Sequence, residues 1–279
     1  MESCSALVVT YNNESTINDC LQSLQNQVDE IIVFDNSSRD STTRIITDEF
    51  PKVTLINSNK NIGYGAAINK AAQSANSALL LIANSDVTFM PNSVANLREL
   101  MVEPSCGIVG PRIENTDGTR YPSPRMFPGF SDAIGHAFIG LFTANNRWSK
   151  RYLRNTEQLE GAHVVDWVSG SCMLVRRHAF DELGGFDEQF FMYMEDVDLC
   201  RRARELGWQV WFTSESHVVH VQGASTIKRP MRAVFAHHVS MIKYVNAATH
   251  GSARAFLPIV WLGIAARMLL MLGKTALNR

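Results

Sequence analysis

Paired cysteine spacing is missing. The five residues Cys4, Cys20, Cys106, Cys172 and Cys200 contain no CxxC pair, and an odd count of this kind fits reduced thiols in a cytosolic compartment rather than a disulfide frame. Excess charge of either sign is also missing. With 26 Lys and Arg against 27 Asp and Glu, the formal net charge is −1, so nothing attracts nucleic acid globally and any phosphate binding is local. Met1 to Ala6 runs straight into an apolar strand without a charged and then apolar leader, so no export signal is expected and the chain should stay inside the cell. No internal repeat or low-complexity tract is evident. No glycine-rich, lysine-bearing phosphate loop follows the first strand, which speaks against a nucleotidyltransferase. Apolar sequence, by contrast, is plentiful. At 46% hydrophobic over 279 residues the chain can bury a sizeable core, as one large domain or a domain with an appendage.

The first third alternates short apolar runs with helical spacing. Ser5 to Tyr11 reads as a strand ending in Asn12-Asn13, and Ile17, Cys20, Leu21 and Leu24 follow on one helical face. Glu30 to Asp35 is a second strand, and the loop Asn36 to Asp40 opens a helix carrying Ile45 and Ile46. Val53 to Asn57, a turn at Asn59 to Gly63, a helix over Tyr64 to Ser74 and a strand over Ala78 to Asn84 repeat the pattern. Such alternation predicts a parallel sheet covered on both faces. Ligands of such sheets bind beyond the carboxyl ends of the strands, where Tyr11, Asp35 and Asn84-Ser85-Asp86 would gather. Each acid alone also suits an ordinary turn or cap.

Further on, Val94, Leu97 and Leu100 mark a helix and Cys106 to Pro111 a strand, while Asn115 to Thr119 is a tight turn whose flanking strands would pair as a hairpin. Tyr121 to His163 has poor periodicity, three prolines and many aromatics, and reads as an acceptor-side flap. Asp166 to Arg177 is strand-like. Trp208 to Phe212 is another strand, followed by a polar loop holding His217, His220 and Gly223. Between them, Phe186 to Gly207 forms an aromatic loop running into a helix with acids first, arginines last and a glycine stop. On that helix Asp196 shares the stripe of Leu199, Ala203 and Leu206 and is expected to face inward, whereas Asp198 is expected to point away as a cap, and Glu195 lies beside the stripe. An inward carboxylate is costly unless paired or needed for proton abstraction. The tail from Ala255 to Gly273 is apolar apart from Arg267 and is marginal as a membrane crossing. Two readings stand: a helix in the membrane interface with Arg254, Arg267, Lys274 and Arg279 on anionic head groups, or one packed on its own domain or on a second subunit as a homodimer.

Taken in order, Leu7 to Asn12, Phe34 to Ser38, Asn61 to Asn69, Asn84 to Asp86, Ser169 to Ser171 and Glu195 to Asp198 resemble the signature blocks of family-two glycosyltransferases. The resemblance covers about residues 5 to 225 and is greatest to bacterial rhamnosyltransferases, among them those acting on polyprenyl-diphosphate-linked N-acetylglucosamine in cell-wall assembly. It implies an inverting enzyme of the GT-A fold, an α/β protein with a Rossmann-like, mostly parallel central sheet, helices on both faces and an apolar helical tail. It implies a glycosyltransferase domain over 1–225, with a nucleotide-sugar-binding half at 1–113 and an acceptor-binding and catalytic half at 114–225. A helical, membrane-associating segment at 226–279 would place the enzyme peripherally on the cytoplasmic side of the cell membrane.

The same resemblance assigns roles. Thr10, Tyr11 and Asp35 would hold the pyrimidine, and Asn61, Gly63 and Gly65 would shape the loop beside ribose and diphosphate. Ser85 and Asp86 belong to a metal motif whose first acid is replaced by Asn84. Asp86, with His220 rather than His217, would bind Mn²⁺ or Mg²⁺, nitrogen ligation favouring Mn²⁺. Asp196 would be the general base, Glu195 would orient the site, and Trp167, Ser169 and Gly170 would frame donor sugar and acceptor. The implied partners are a nucleotide-sugar donor, dTDP-L-rhamnose, and a lipid-linked sugar acceptor, with no nucleic acid. Two alternatives are a UDP-dependent transferase of galactofuranose or glucose, and a degraded nucleotide-sugar-binding subunit, the latter motivated by Asn84.

Overall fold

The computed structural model of the chain describes residues 2–125, 127, 159–221 and 230–277. Strands and helices alternate through the first hundred residues: β1 (Cys4–Thr10), α1 (Ile17–Leu24), β2 (Glu30–Asp35), α2 (Thr42–Glu49), β3 (Thr54–Asn57), α3 (Tyr64–Ala72), β4 (Leu79–Asn84), β5 (Val87–Phe89) and α4 (Ser93–Leu100). Then come β6 (Cys106–Asn115), β7 (Arg120–Tyr121), β8 (Ala162–Val165), β9 (Cys172–Arg176), α5 (Arg177–Glu182), α6 (Glu195–Glu205), β10 (Gln209–His220), α7 (Pro230–Ala248), a 3-10 turn (Gly251–Phe256) and α8 (Leu257–Leu277). The strands share one sheet in the order β3-β2-β1-β4-β9-β6-β10-β5, with β7 on β6 and β8 on β10. Six of them, β1, β2, β3, β4, β6 and β10, run the same way, and β9 runs against its neighbours β4 and β6.

Continuous apolar runs make central strands because both faces are covered. In β1, Ala6 and Val8 join the core under α1, while Leu7 and Val9 join the core under α3. Along α1 the stripe Ile17, Cys20, Leu21 and Leu24 is fully buried, and α3 carries the small residues Ala67, Ala71 and Ala72 inward. Register then fixes the site edge. Thr10 stands opposite Asp35, and Val9 opposite Asn84.

The expected hairpin forms, with Ile113 opposite Tyr121 and Glu114 opposite Arg120. Most of the flap expected over Tyr121 to His163 lies outside the described residues, as do Gly223 and Arg279. His217 and His220 are not in a loop. β10 continues through an irregularity between Thr213 and His217 and carries both histidines, because the short β5 pairs with its end and prolongs it.

The helix α6 departs from the face expected of it. Asp198 is the buried acid at 1% exposure, Asp196 is only half-buried, and Leu206 is 52% exposed at the helix end. Val197, Leu199, Cys200 and Ala203 are all buried, so the helix is covered over most of its circumference and one apolar stripe does not decide which way an acid points. Asp198 enters because Arg201 and Arg202 neutralise it at 2.7 and 2.6 Å. Arg202 also donates to the carbonyls of Leu183 and Gly185 at 2.8 and 3.0 Å.

The tail folds as a helical pair, α8 packing on α7. Residues Gly251–Leu277 are long and apolar enough to cross a membrane, and Ile259, Leu262, Leu269 and Leu270 are each more than half exposed. Arg267 does not face outward to head groups. It is turned toward α7, 3.4 Å from His238 Nε2 and 3.9 Å from Met241 Sδ, which leaves the outward face apolar.

Removing the acid from the buried cluster should be expensive, since Arg202 then loses its counter-charge and Arg201 keeps only Glu205. Asp198→Ala is expected to lower the unfolding free energy by about 3 kcal/mol in urea denaturation. A loss within about 0.5 kcal/mol, the range of surface changes, would show that this pairing does not hold α6.

Candidate active site

Asp35 ends β2 with its carboxylate under cover. It is 3% exposed; Oδ2 accepts the Ser38 N–H at 2.9 Å, and Oδ1 is buried with no partner. A buried carboxylate oxygen without a donor is free to accept an N–H from a ligand. Around it the loops are fixed by side-chain amides. Asn13 Oδ1 accepts the Tyr11 N–H at 3.0 Å, and Thr10 is buried with its Oγ1 3.4 Å from the same atom. Asn36 accepts the Ile62 N–H at 2.8 Å and donates to the Gly63 carbonyl at 3.0 Å, while Asn61 Oδ1 accepts the Gly63 N–H at 3.0 Å.

The two glycines expected to give a ligand room serve a close approach within the chain. Gly63 has φ +93°, and a Cβ there would stand 2.6 Å from the Phe191 carbonyl oxygen; a Cβ at Gly65 would meet the Phe186 side chain at 2.8 Å. They let α3 press against the loop that precedes α6.

At the end of β4, Asn84 and Ser85 turn the chain and Asp86 leads into β5. Antiparallel pairing places Val87 opposite His220, and the Val221 N–H donates to the Asp86 carbonyl at 2.9 Å. The side chains then converge, with His220 Nε2 3.0 Å from Asp86 Oδ1. His217 is engaged elsewhere, 2.9 Å from Glu114 Oε2. Among the described residues no group of three or more His, Cys, Asp or Glu is arranged around a cation. Asp86 and His220 are therefore two candidate ligands at the separation one ion would bridge. A cation held there would draw its other ligands from phosphate and water, as hard divalent ions commonly do.

Asp196 is the second residue of α6, before the helix has a preceding turn, and its side chain reaches sideways to the turn that leads into β9. Oδ2 accepts the Gly170 N–H at 2.9 Å and Oδ1 the Val197 N–H at 2.8 Å. A Cβ at residue 170 would stand 2.9 Å from the Asp196 Cβ, so this approach requires glycine. The Gly170 carbonyl in turn accepts the Tyr64 phenol at 2.8 Å, and the Tyr64 N–H donates to the Phe191 carbonyl at 3.0 Å. Burial, then the charges of Glu195, Cys172, Asp196 and Asp86, push the phenol well above its ordinary pKa, so it remains a donor. Tyr64 thus joins α3, the Ser169-Gly170 turn and the loop before α6, and stands within electrostatic reach of Glu195, Asp196 and Asp86.

The adjacent carboxyls differ in their supply of donors. Glu195 is 7% exposed and its Oε2 has no partner. Burial, reinforced by the charge on Asp196, pushes it up to about 8. Burial also raises Asp196, opposed by the N–H groups of Gly170 and Val197 and by the Arg125 guanidinium. Asp196 therefore ionises first, and Glu195 keeps its proton at neutral pH. Asp196 is the group equipped to accept a proton.

The structure brings Thr10, Asp35, Asn61, Gly63 and Asp86 to one sheet edge, and it joins Asp196, Gly170 and Ser169 beyond β9. Ser169 Oγ lies 3.0 Å from Ser171 Oγ, both buried. Trp167 is buried in the core on the same side as α3, yet its Nε1 has no partner. Sequence reasoning passed over Tyr64 and Arg125. Tyr64 lies within the Asn61 to Asn69 block, where the resemblance gives it no role. Arg125 stands between Pro124 and an aromatic stretch, where a lone arginine among rings was the available signal.

The chain matches the family model "Glycosyl transferase family 2" over residues 5–184 and "Glycosyl transferase family group 2" over residues 135–274. It is 36% identical over 244 residues to the N-acetylglucosaminyl-diphospho-decaprenol L-rhamnosyltransferase of Mycobacterium tuberculosis, covering 83% of this chain and 78% of that protein. Its fold is similar to a mannosyltransferase from Pyrobaculum calidifontis solved with GDP-Man and Mn²⁺, with TM-score 0.61, 16% identity and coverage of 99% of this chain and 80% of the other. GalNAc-T7, solved with UDP, GalNAc and Mn²⁺, also gives TM-score 0.61 at 16% identity, over 81% of this chain and 44% of that longer chain.

The two carboxyls make a pH prediction. Glu195 has a folded pKa of about 8 against an unfolded 4.5, so its stabilising contribution is complete below pH 4.5 and drains as pH climbs through 8. Glu195→Gln should flatten the stability profile over that interval, measured by urea midpoints at several pH values. In kcat/KM the wild type should show an inflection near 8 that Glu195→Gln lacks, with the lower limb from Asp196 retained. An unchanged upper inflection would assign it to another group.

Proposed function

The chain belongs to glycosyl transferase family 2, and from that premise we propose that it transfers L-rhamnose, with inversion, from dTDP-L-rhamnose to a polyprenyl-diphosphate-linked N-acetylglucosamine in cell-wall or surface polysaccharide assembly. The observation that carries the chemistry is Asp196. Half-buried, it is held by two backbone N–H groups next to an acid that keeps its proton. The mycobacterial relative's name, at 36% identity over most of both chains, supports the choice of sugar and acceptor.

Each residue then has a task. The free Oδ1 of Asp35 accepts the N3–H of the pyrimidine, which uracil and thymine both present, so this contact alone does not set the base. Asp86 and His220 would hold Mn²⁺ or Mg²⁺, with the donor diphosphate completing the shell, and His220 favours Mn²⁺. When bound, the cation stabilises charge on the departing nucleoside diphosphate. Asp196 removes the acceptor hydroxyl proton as that oxygen attacks the anomeric carbon from the face opposite the diphosphate, and one displacement inverts the centre. Residues 1–225 form the catalytic domain. The helical segment 226–279 keeps it peripherally on the cytoplasmic face of the membrane, with the apolar side of α8 toward lipid.

Turnover by purified protein with Mn²⁺, a panel of nucleotide sugars and a synthetic lipid-diphosphate acceptor tests this reading directly. dTDP-L-rhamnose is expected to be the preferred donor, and preference for a UDP-sugar would replace it. Asp196→Asn should lower kcat by about 10²–10⁴-fold with nucleotide binding retained, and near-normal turnover would remove Asp196 as the base. His220→Ala should weaken Mn²⁺ binding measured by calorimetry in the presence of nucleoside diphosphate, while unchanged affinity would refute its ligand role.

A further inference from the structure

Arg125 and Trp167 face each other across a narrow antiparallel bridge leading up to the base. The Arg125 N–H donates to the Trp167 carbonyl at 3.0 Å, and the Arg125 carbonyl accepts the N–H groups of Trp167 and Asp166 at 3.1 and 3.2 Å. Two residues on, the Ser169 N–H meets Ser123 Oγ at 3.4 Å. This register sets Pro122 level with Gly170, the residue that binds Asp196. The Arg125 side chain bends back toward that end. Its Nε donates to the Pro122 carbonyl at 2.8 Å, and Nη2 lies 3.5 Å from the Tyr121 hydroxyl. The guanidinium carbon sits 4.8 Å from the centre of the Trp167 ring and 5.7 Å from that of Tyr121. Backbone, carbonyl and two rings thus order a cation beside the base.

What that cation lacks is a direct ion pair, although its charge acts on Asp196. The other arginines around it have one: Arg120 pairs with Glu160, Arg204 with Asp166 and Arg112 with Glu114. Among the described residues Arg125 pairs with no carboxylate. Trp167, only 6% exposed, has its Nε1–H buried without a partner. A buried indole N–H without an acceptor is costly unless a ligand oxygen arrives, and the Arg125 guanidinium, with Nε on the Pro122 carbonyl and Nη2 near the Tyr121 hydroxyl, has further N–H groups to offer beside the same ring. The planar guanidinium fork suits a phosphate, and ring packing has already restricted its rotamers.

We propose that Arg125 and the Trp167 indole N–H form the binding site for the diphosphate of the lipid-linked acceptor. This rests on the functional reading above, in which the acceptor is a sugar joined through its anomeric carbon to a diphosphate. The hydroxyl that attacks must lie at Asp196, and the acceptor's own diphosphate is then one sugar ring away, a distance over which the Arg125 guanidinium, whose charge acts on that carboxylate, can meet it. The donor diphosphate belongs instead with Asp86 and His220. The site accordingly selects acceptors that carry a diphosphate over neutral glycosides of the same sugar.

Steady-state kinetics separate the two diphosphates. Arg125→Ala is expected to raise the acceptor KM about tenfold or more with donor KM and melting temperature unchanged. Trp167→Phe, which keeps the ring and removes the N–H, should give a smaller rise. With a neutral alkyl glycoside of N-acetylglucosamine, Arg125→Ala should lose several-fold less than with the diphosphate-bearing acceptor, the loss that remains reflecting the guanidinium's action on Asp196. A rise in donor KM alone would give Arg125 to the donor, and equal losses on charged and neutral acceptors would make its role structural; either overturns the proposal. Inorganic pyrophosphate binding to the metal-free, donor-free protein, followed by calorimetry, supplies a readout independent of turnover. It is expected in wild type and lost in Arg125→Ala, and undiminished binding in the variant overturns the site. If no lipid-linked acceptor is turned over by wild type, the functional reading fails, while the pyrophosphate comparison still judges Arg125. Should Arg125→Ala not fold, Arg125→Lys, which keeps the charge but not the fork, takes its place in every arm.

Discussion

The hydrogen bond from the Gly170 N–H to Asp196 Oδ2 is the constraint on which the site depends. Three segments far apart in the chain must meet for it to form: the Gly63-Tyr64 start of α3, the Ser169-Gly170 turn before β9 and the loop entering α6. Each contact among them excludes larger residues or requires a particular donor. Gly63 admits the Phe191 backbone, Gly170 admits the Asp196 Cβ, and the Tyr64 phenol closes the triangle on the Gly170 carbonyl. The carboxylate is thereby kept ionisable while its neighbour Glu195, with no such donors, is driven to hold its proton. Two acids adjacent in sequence acquire different chemistry, because burial and the charge of Asp196 raise Glu195 while backbone N–H groups and Arg125 offset burial at Asp196.

Much of the sheet was legible because it is local. The runs of β1, β2 and β4 are apolar on both faces, and the polar residue closing each run marks the strand end where ligands gather. The hairpin around Gly118 was readable from its turn residues for the same reason. The short β5 was not, since three residues carry no period, and its absence from the sequence reading put His217 and His220 in a loop. That strand is what delivers His220 to Asp86.

The helix α6 shows where reading a single face fails. A helical wheel assumes one buried side, but this helix packs on β10 and is tied to the turn at Leu183 to Gly185, and an acid can go to the interior if arginines come with it. Asp198 did so with Arg201 and Arg202, whose positions three and four residues on are visible in sequence but equally fit a solvated pair. Asp196 was singled out by a stripe on its own helix, and the structure gives its orientation another cause. Its orientation comes from Gly170, 26 residues away in sequence, and not from a stripe on its own helix. Arg125 was invisible in the same sense, because its meaning lies in Trp167 and in the missing carboxylate, both matters of tertiary contact.

The loop before α6 carries the cost of this placement. Tyr193 and Met194 both have positive φ, 68° and 69°, a conformation disfavoured for side chains of their size. Strain of this kind persists only where the surroundings over-determine it, and here they do so from two sides. On one side the Phe191 carbonyl is fixed by the Tyr64 N–H. On the other, α7 holds the loop through Ser240 Oγ to the Met192 carbonyl at 2.8 Å, Lys243 Nζ to the Gln189 carbonyl at 2.5 Å, and the edge contact of His237 with Tyr193. The helix that supports α8 and its apolar face is therefore also a wall of the turn that aims Asp196. A segment that sequence alone reads as an appendage is, by its contacts, part of what keeps the carboxylate in place.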